Sequence, residues 1–186
     1  MHSANFELIT ERTILRQWKE SDLPTWIALN QDPEVMRYFE RPLSADESIA
    51  TAQRISHRIS EDGWGLWALE IKGGPEFVGF VGLSQQDLGL PFTPCVEIGW
   101  RLTKSAWGNG YATEAAKAAL AFGLQRFDAI YSFTAATNLP SRKVMERIGL
   151  VERTDLAFEH PKVNRPEIKA HVVYSICSRV DQEKYL

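Results

Sequence analysis

Trp107-Gly108-Asn109-Gly110-Tyr111-Ala112-Thr113-Glu114-Ala115 stands between a run that alternates like a strand and an alanine-rich run that repeats like a helix. Gly108 and Gly110 let the backbone turn tightly and aim several N–H groups at one point. The following helix adds its own unpaired N–H groups and the positive end of its dipole. Such a turn is an anion cradle, suited to a phosphate or diphosphate. Ala115, Ala116, Ala118 and Ala119 are small enough for that helix to lie close on a sheet. A dinucleotide fingerprint wants Gly or Ala where Thr113 stands, so that match fails at its third glycine. A P-loop is excluded, because no Gly-Lys-Ser or Gly-Lys-Thr follows. A tight connection with no ligand remains the alternative, and the turn alone does not choose.

In the preceding strand, alternation puts Val96, Ile98, Trp100 and Leu102 on one face and Glu97, Gly99 and Arg101 on the other. A glycine inside such a strand marks a bulge or the close approach of a ligand. Glu97 and Arg101 lie about 13 Å apart along an extended chain, too far for a simple ion pair. A Glu free of such pairing can accept a proton, or it is an ordinary solvated strand residue. Downstream, Asn138 and Ser141 open a short helix, either as capping residues or as ligands for a polar chain between the late strands. Arg142, Lys143 and Arg147 form a solvated face or meet phosphates.

Outward from this centre the pattern predicts an α+β fold with a mixed sheet. Phe6–Ile9 and Ile14–Gln17 read as strands, and helices are expected over Asp22–Asn30 and Ala45–Ser60. The second helix opens on a Ser44-Ala45-Asp46-Glu47 capping box. Trp64–Glu70 and Phe77–Leu83, separated by Lys72-Gly73-Gly74-Pro75, predict a hairpin. Val96–Leu102 is a third strand, followed by a helix over Asn109–Phe127 and a strand over Ile130–Thr134. A helix over Pro140–Ile148 closes at Gly149, and strands are expected over Leu150–Leu156 and Ile168–Ser178.

The chain has 186 residues, 44% hydrophobic and 24% charged, which reads as one domain spanning 1–186. A net charge of -3 gives no electrostatic case for nucleic acid. No apolar run reaches the roughly 20 residues of a membrane span, and the start lacks a signal-peptide pattern. Cys95 and Cys177 are too few for a disulfide framework, so a cytoplasmic protein is expected. His2, His57, His160 and His171 lack paired zinc spacing, and no metal site is expected. There is no Gly-x-Ser-x-Gly nucleophile elbow.

The strand Val96–Leu102, the glycine turn and the helix Asn138–Gly149, in this order, resemble the GNAT superfamily of N-acetyltransferases, closest to its RimJ/RimL-like branch. Thr10-Glu11-Arg12-Thr13-Ile14-Leu15-Arg16, Asp32-Pro33-Glu34-Val35-Met36 and His160-Pro161 support the likeness across nearly the whole chain. The resemblance implies a mostly antiparallel central sheet, flanked by helices and splayed open between Val96–Leu102 and Ile130–Thr134. Acetyl-CoA would enter the splay as co-substrate. Its pantetheine arm would pair with backbone near Arg101, Leu102 and Thr103, and its diphosphate would sit on the amides of Trp107, Gly108, Asn109, Gly110, Tyr111 and Ala112. Asn138 would contact the arm and Ser141 would approach the sulfur, while Trp107 would either cover the cofactor or pack, packing being the expectation. This sequence departs from the family pattern twice. Ser105 stands where Gln or Arg is frequent, and Met145 stands where many members carry a Tyr general acid.

The reaction so implied is direct acetyl transfer to an amine, with Glu97 as base and Ser141 assisting the departing thiolate. Deprotonating a lysine at pH 7 costs about 4–5 kcal/mol, an α-amine only about 1–1.4 kcal/mol. Alignment supplies about 7–11 kcal/mol, more than any single acid or base. The missing Tyr is therefore not disqualifying. A protein N-terminal α-amine is one acceptor, and a small amine, an aminoglycoside-like compound or a polyamine is the alternative. A catalytically weak acyl-CoA-binding sensor is a third reading. The acceptor is expected to meet residues from Asp22–Ser60 and the loops Asp87–Pro94 and Phe158–Pro166, where Trp26, Met36, Tyr38, Phe39 and Trp64 line a groove or fill the core. A monomer or a homodimer is expected, the latter through an edge strand near the C-terminus.

Overall fold

The two apolar runs flanking Lys72-Gly73-Gly74-Pro75 do pair as a hairpin: β3 (Leu66–Ile71) lies antiparallel to β4 (Gly79–Gln86). The structure, a computed structural model, describes residues 7–177; His2, Phe6 and Ser178 lie outside the described residues. Before the hairpin come β1 (Leu8–Ile9), β2 (Thr13–Arg16), α1 (Leu23–Gln31) and α2 (Ala45–Asp62). After it come β5 (Cys95–Leu102), α3 (Tyr111–Leu124), β6 (Ala129–Ala135) and α4 (Leu139–Arg147). The chain continues through β7 (Val151–Glu152), β8 (Phe158–Glu159), α5 (Pro166–Lys169) and β9 (Ala170–Cys177). The strands form one sheet in the order β1-β2-β3-β4-β5-β6-β9-β7, with β8 also on β9. Among the described residues every strand pair is antiparallel except β5 with β6.

The capping box forms at the second helix as read. Ser44 Oγ accepts from the Glu47 amide at 3.2 Å, and Glu47 Oε2 accepts from the Ser44 amide at 2.8 Å. Trp26 packs edge-on against Phe80 on the face shared by α1 and β4. A buried guanidinium locks the same corner: Arg16 reaches Asp22 through both terminal nitrogens at 2.9 Å and Glu70 through Nε at 2.7 Å. Removing one partner from such a pair strands a charge and costs about 3–5 kcal/mol. On the opposite face Ala115, Ala116 and Ala119 are fully buried, so α3 lies close on β4 and β5 as its small residues allow.

Two expectations near the C-terminus are corrected. The strand over Leu150–Leu156 shrinks to Val151–Glu152, because the chain tightens into a 3-10 turn over Thr154–Leu156. The last strand starts at Ala170 rather than Ile168, since Pro166 opens a single helical turn that buries Ile168. Nor is β9 an open edge for symmetric pairing. Its outer side meets β7 at Tyr174 and Ser175 and β8 at Ala170 and His171.

Gly79 fixes the register where β4 meets the end of β5. Its φ is 133°, and a Cβ there would lie 2.0 Å from the Arg101 carbonyl oxygen. Gly79→Ala is expected to destabilise the fold by about 3 kcal/mol or more, read as a lower urea midpoint.

Candidate active site

The site begins with which way β5 aims its main-chain groups. Thr103 N donates to Val78 O at 2.8 Å, one step beyond the Leu102–Gly79 pair. That places Gly99 and Arg101 in hydrogen-bonded pairs with β4, and leaves the amides of Trp100 and Leu102 pointing the other way, toward β6. Yet β6 meets β5 at one register pair only, Glu97 with Tyr131, and Ser132 Oγ donates to Ile98 O at 2.8 Å just beyond it. Past Ile98 the two strands part, and the edge formed by Trp100 and Leu102 faces the gap. Of the residues expected to meet the pantetheine arm, Leu102 turns its amide to the gap, the Arg101 amide faces β4, and Thr103 has both main-chain groups committed, its carbonyl accepting from Ala106 N at 3.0 Å.

Glu97 sits where the gap closes. Burial pushes its carboxyl up to about 8, against the pull of the Gln86 side chain and the Phe133 amide. Its expected independence from Arg101 holds, because Arg101 Nη1 donates to Asn30 Oδ1 at 2.6 Å. The Arg101 guanidinium lies 4.0 Å from the Phe39 ring centre and also faces Trp26 and Phe80; burial lowers its pKa to about 10. Between them, Gly99 has open space where a side chain would stand. Cys95 is buried, and burial first, then Glu97, pushes its thiol up to about 12, which makes it a poor nucleophile.

At the open end of the gap the glycine turn takes the shape its sequence demands. Gly108 and Gly110 have φ of 77° and 80°, the left-handed region, and Gly110 caps α3. A Cβ at Gly108 would meet nothing within 4 Å, so the turn presents bare backbone to its surroundings. Trp107 does not pack as expected: it is 39% exposed, and its indole N–H donates to Leu102 O at 2.9 Å. Asn109 turns its side chain inward, donating to Trp107 O at 3.0 Å.

Arg12, from the β1–β2 turn, is the residue sequence reasoning missed here. Its Nη1 donates to Asn109 O at 3.1 Å, its Nε to Glu114 Oε2 at 2.7 Å, and its guanidinium lies 5.0 Å from the Tyr111 ring centre. Thr10 and the Arg12 amide hold the other Glu114 oxygen. Burial raises the Glu114 carboxyl, but these bonds outweigh it and hold it below its ordinary value. The carboxylate that stands in the first turn of α3 is thus tied aside, with a cation set at the turn. The signal was present in the run Thr10–Arg16, which carried the resemblance without any role for Arg12.

The late helix is more structural than its sequence alone suggested. Asn138 Oδ1 accepts from Ser141 N at 3.3 Å and its Nδ2 donates to Thr134 Oγ1 at 2.9 Å, so capping is realised. Ser141 is half-buried in the first turn. Met145 is 1% exposed in the core. Arg142 is spent on Tyr174 Oη, Ala136 O and Glu152, while Lys143 and Arg147 are solvated. His171 and Tyr174 lie on opposite faces of β9, as their spacing requires: His171 meets the Phe158 ring, Tyr174 the α4 side. Trp26 and Met36 are core residues, Tyr38 packs on a small cluster of Ala135, Val163 and Ile168, and Trp64 meets Phe127 edge-on. Only Phe39 of that set stands open.

The sheet thus parts beyond the half-buried Glu97 carboxylate, with the bare-backbone glycine turn at the open end. The acetyltransferase (GNAT) domain model matches residues 12–151, and the chain belongs to that family of acetyl-CoA-dependent enzymes. YkkB, a protein of Bacillus subtilis, is 32% identical over 154 residues, covering 80% of this chain and 87% of that one. The FsC-acetyl coenzyme A-N(2)-transacetylase of Aspergillus fumigatus is 29% identical over 159 residues, 81% of this chain and 64% of that protein. Among solved structures, a RimL ribosomal alpha-N-protein acetyltransferase in complex with coenzyme A superposes with a TM-score of 0.72 at 15% identity, over 92% of this chain and 98% of that one. Among the described residues no helix is long and apolar enough to cross a membrane, and no group of three or more His, Cys, Asp or Glu is disposed to hold a metal.

Proposed function

We propose that the chain moves the acetyl group of acetyl-CoA directly to a neutral α-amine, with Glu97 taking the amine proton through a water. The observation that carries this reading is the position of Glu97: it is the β5 member of the register pair with Tyr131, beyond which the strands part and a thioester lying in the gap would end. Its carboxyl, near 8, matches the α-amine range of about 7.7–8.0, so proton transfer between them is close to thermoneutral. A lysine side chain near 10.4 would face an uphill transfer of about 3 kcal/mol.

The diphosphate rests on the amides from Trp107 to Ala112, with Arg12 alongside. The pantetheine arm pairs with the main chain of Trp100 and Leu102, and the Leu102 amide is the donor nearest the developing oxyanion. Ser141, in the first turn of α4, accompanies the leaving sulfur, and the spare Nδ2 hydrogen of Asn138 faces the arm. The inert Cys95 thiol argues for direct attack rather than an acyl-enzyme.

Initial rates measured while both substrates vary are expected to give intersecting reciprocal plots, and an Nα-blocked lysine is expected to react far more slowly than a free α-amine. Parallel plots with a trapped acyl-cysteine, or a preference for the lysine side chain, would overturn this reading.

A further inference from the structure

Phe92, Tyr131, Phe133, Phe158 and His160 are each half-buried and belong to neither hydrophobic core. They touch one another instead. Phe92 stacks on Tyr131 at 5.6 Å between ring centres, Phe158 meets Phe92 at 5.8 Å and Phe133 at 5.7 Å, and His160 closes the far end at 6.0 Å from Phe158. Four separate segments supply these rings: the loop before β5, then β6, β8 and the loop after β8. Half-open rings gathered from four segments, without joining a core, form a wall that still has apolar area to bury.

The wall adjoins the reacting end of the gap. Tyr131 is the register partner of Glu97, so both side chains stand on one face of the sheet, and Phe133 follows two residues on along the same face. Beside Phe92 and Tyr131 opens a cavity of about 300 Å³ that also touches Pro94 and Val96. The cavity is an open cleft whose lining also includes the polar Gln85, and its volume exceeds the about 150 Å³ that benzene fills in an enclosed apolar cavity.

The charges nearby point the same way. Carboxylates on the neighbouring loops are committed: Asp87 to the Gly89 amide at 3.2 Å, Glu159 to Lys169 at 3.5 Å, Glu40 to the Asn164 amide at 2.9 Å. Burial lowers His160 and His171, so the imidazoles stay neutral near pH 7. A polyamine or aminoglycoside would bring several ammonium groups to a wall whose rings themselves carry no carboxylate.

We infer that the acceptor is an amine carrying an aromatic or similarly flat apolar group close to its α-nitrogen, seated on the ring wall of Phe92, Tyr131, Phe133 and Phe158. This rests on the proposed acetyl transfer, and it names the substrate class for that same site. With the amine at Glu97, the ring of such an acceptor lies against Phe92 and Phe158 in an edge or offset contact.

Amino acid amides test it, because their α-amines have similar pKa values and differ in side chain. Phenylalaninamide is expected to show a kcat/KM at least about tenfold above alaninamide, a difference of about 1.4 kcal/mol, and lysinamide is expected to rank last. Phe158→Ala, and separately Phe92→Ala on its exposed loop, are expected to narrow the phenylalaninamide-to-alaninamide ratio toward unity. Saturation-transfer NMR with CoA present is expected to show the phenylalaninamide ring in contact with the protein, a readout that needs no turnover. Equal rates for the amides, a preference for lysinamide, or variants that slow every amide alike would overturn the inference while leaving acetyl transfer intact. Ring contact by NMR without acetylation of any amide would instead overturn the proposed reaction and leave the wall as a binding surface.

Discussion

Glu97→Gln is expected to lower kcat about a hundred- to ten-thousand-fold with the acetyl-CoA KM little changed, because it removes the proton acceptor and leaves the cofactor contacts in place. The pH profile separates this from general damage. In the wild type, log kcat/KM for an α-amine is expected to rise with a slope approaching two below about pH 8, since both the amine and Glu97 must lose a proton. In the variant only the amine titrates, and the slope falls to one. Stability moves in the opposite direction. The folded carboxyl is raised from 4.5 to about 8, so the folded state holds its proton more tightly, and stability drains away as pH climbs through that window. Gln carries no such penalty. The variant is therefore expected to match the wild type near pH 4.5 and to exceed it by up to about 5 kcal/mol at pH 9 in urea unfolding. Full activity, or an unchanged slope, would remove Glu97 from the chemistry.

Gly110→Val is expected to weaken CoA binding about a hundredfold or more. A β-branched residue at φ 80° is strained, and relief of that strain turns the Gly110 and Tyr111 amides off their common point. Hydrogen bonds to a charged group are worth about 1.5–3 kcal/mol each, so misdirecting one or two accounts for the loss. The fold itself should tolerate the change, because a Cβ at Gly110 would meet only the Arg12 guanidinium, at 3.5 Å. A melting temperature lowered by a few degrees, together with the lost affinity, is the expected pair of results. Retained affinity would mean that this turn does not hold the diphosphate.

What the sequence made legible were features set by local chemistry. The Gly108 and Gly110 turn, the Ser44 capping box, the hairpin around Gly73 and the alternation of β5 each follow from backbone rules that act over a few residues. The two-residue strand β8 was not legible and β7 was read too long, because such short pairings come from the returning β9 rather than from their own propensity. The direction of the β5 amides required the register with β4, which spacing does not contain; that register turns the Arg101 amide toward β4 and the amides of Trp100 and Leu102 toward the gap. Asn138 realises its cap, which spacing did read, but capping and ligand contact use the same residue type and are not exclusive, so the cap leaves the second role undecided by sequence. Arg12 and the ring wall escaped for a shared reason. Each assembles residues far apart in the chain: Arg12 with Glu114, and Phe92 with Phe133 and Phe158.

The most direct measurement is an NMR titration of assigned backbone amides with CoA and, separately, with pantetheine, which lacks the diphosphate. CoA is expected to shift the amides of Gly108 through Ala112 together with those of Trp100 and Leu102, and pantetheine only the strand pair. Folded protein whose Gly108–Ala112 amides stay unmoved at saturating CoA would contradict the account at its base.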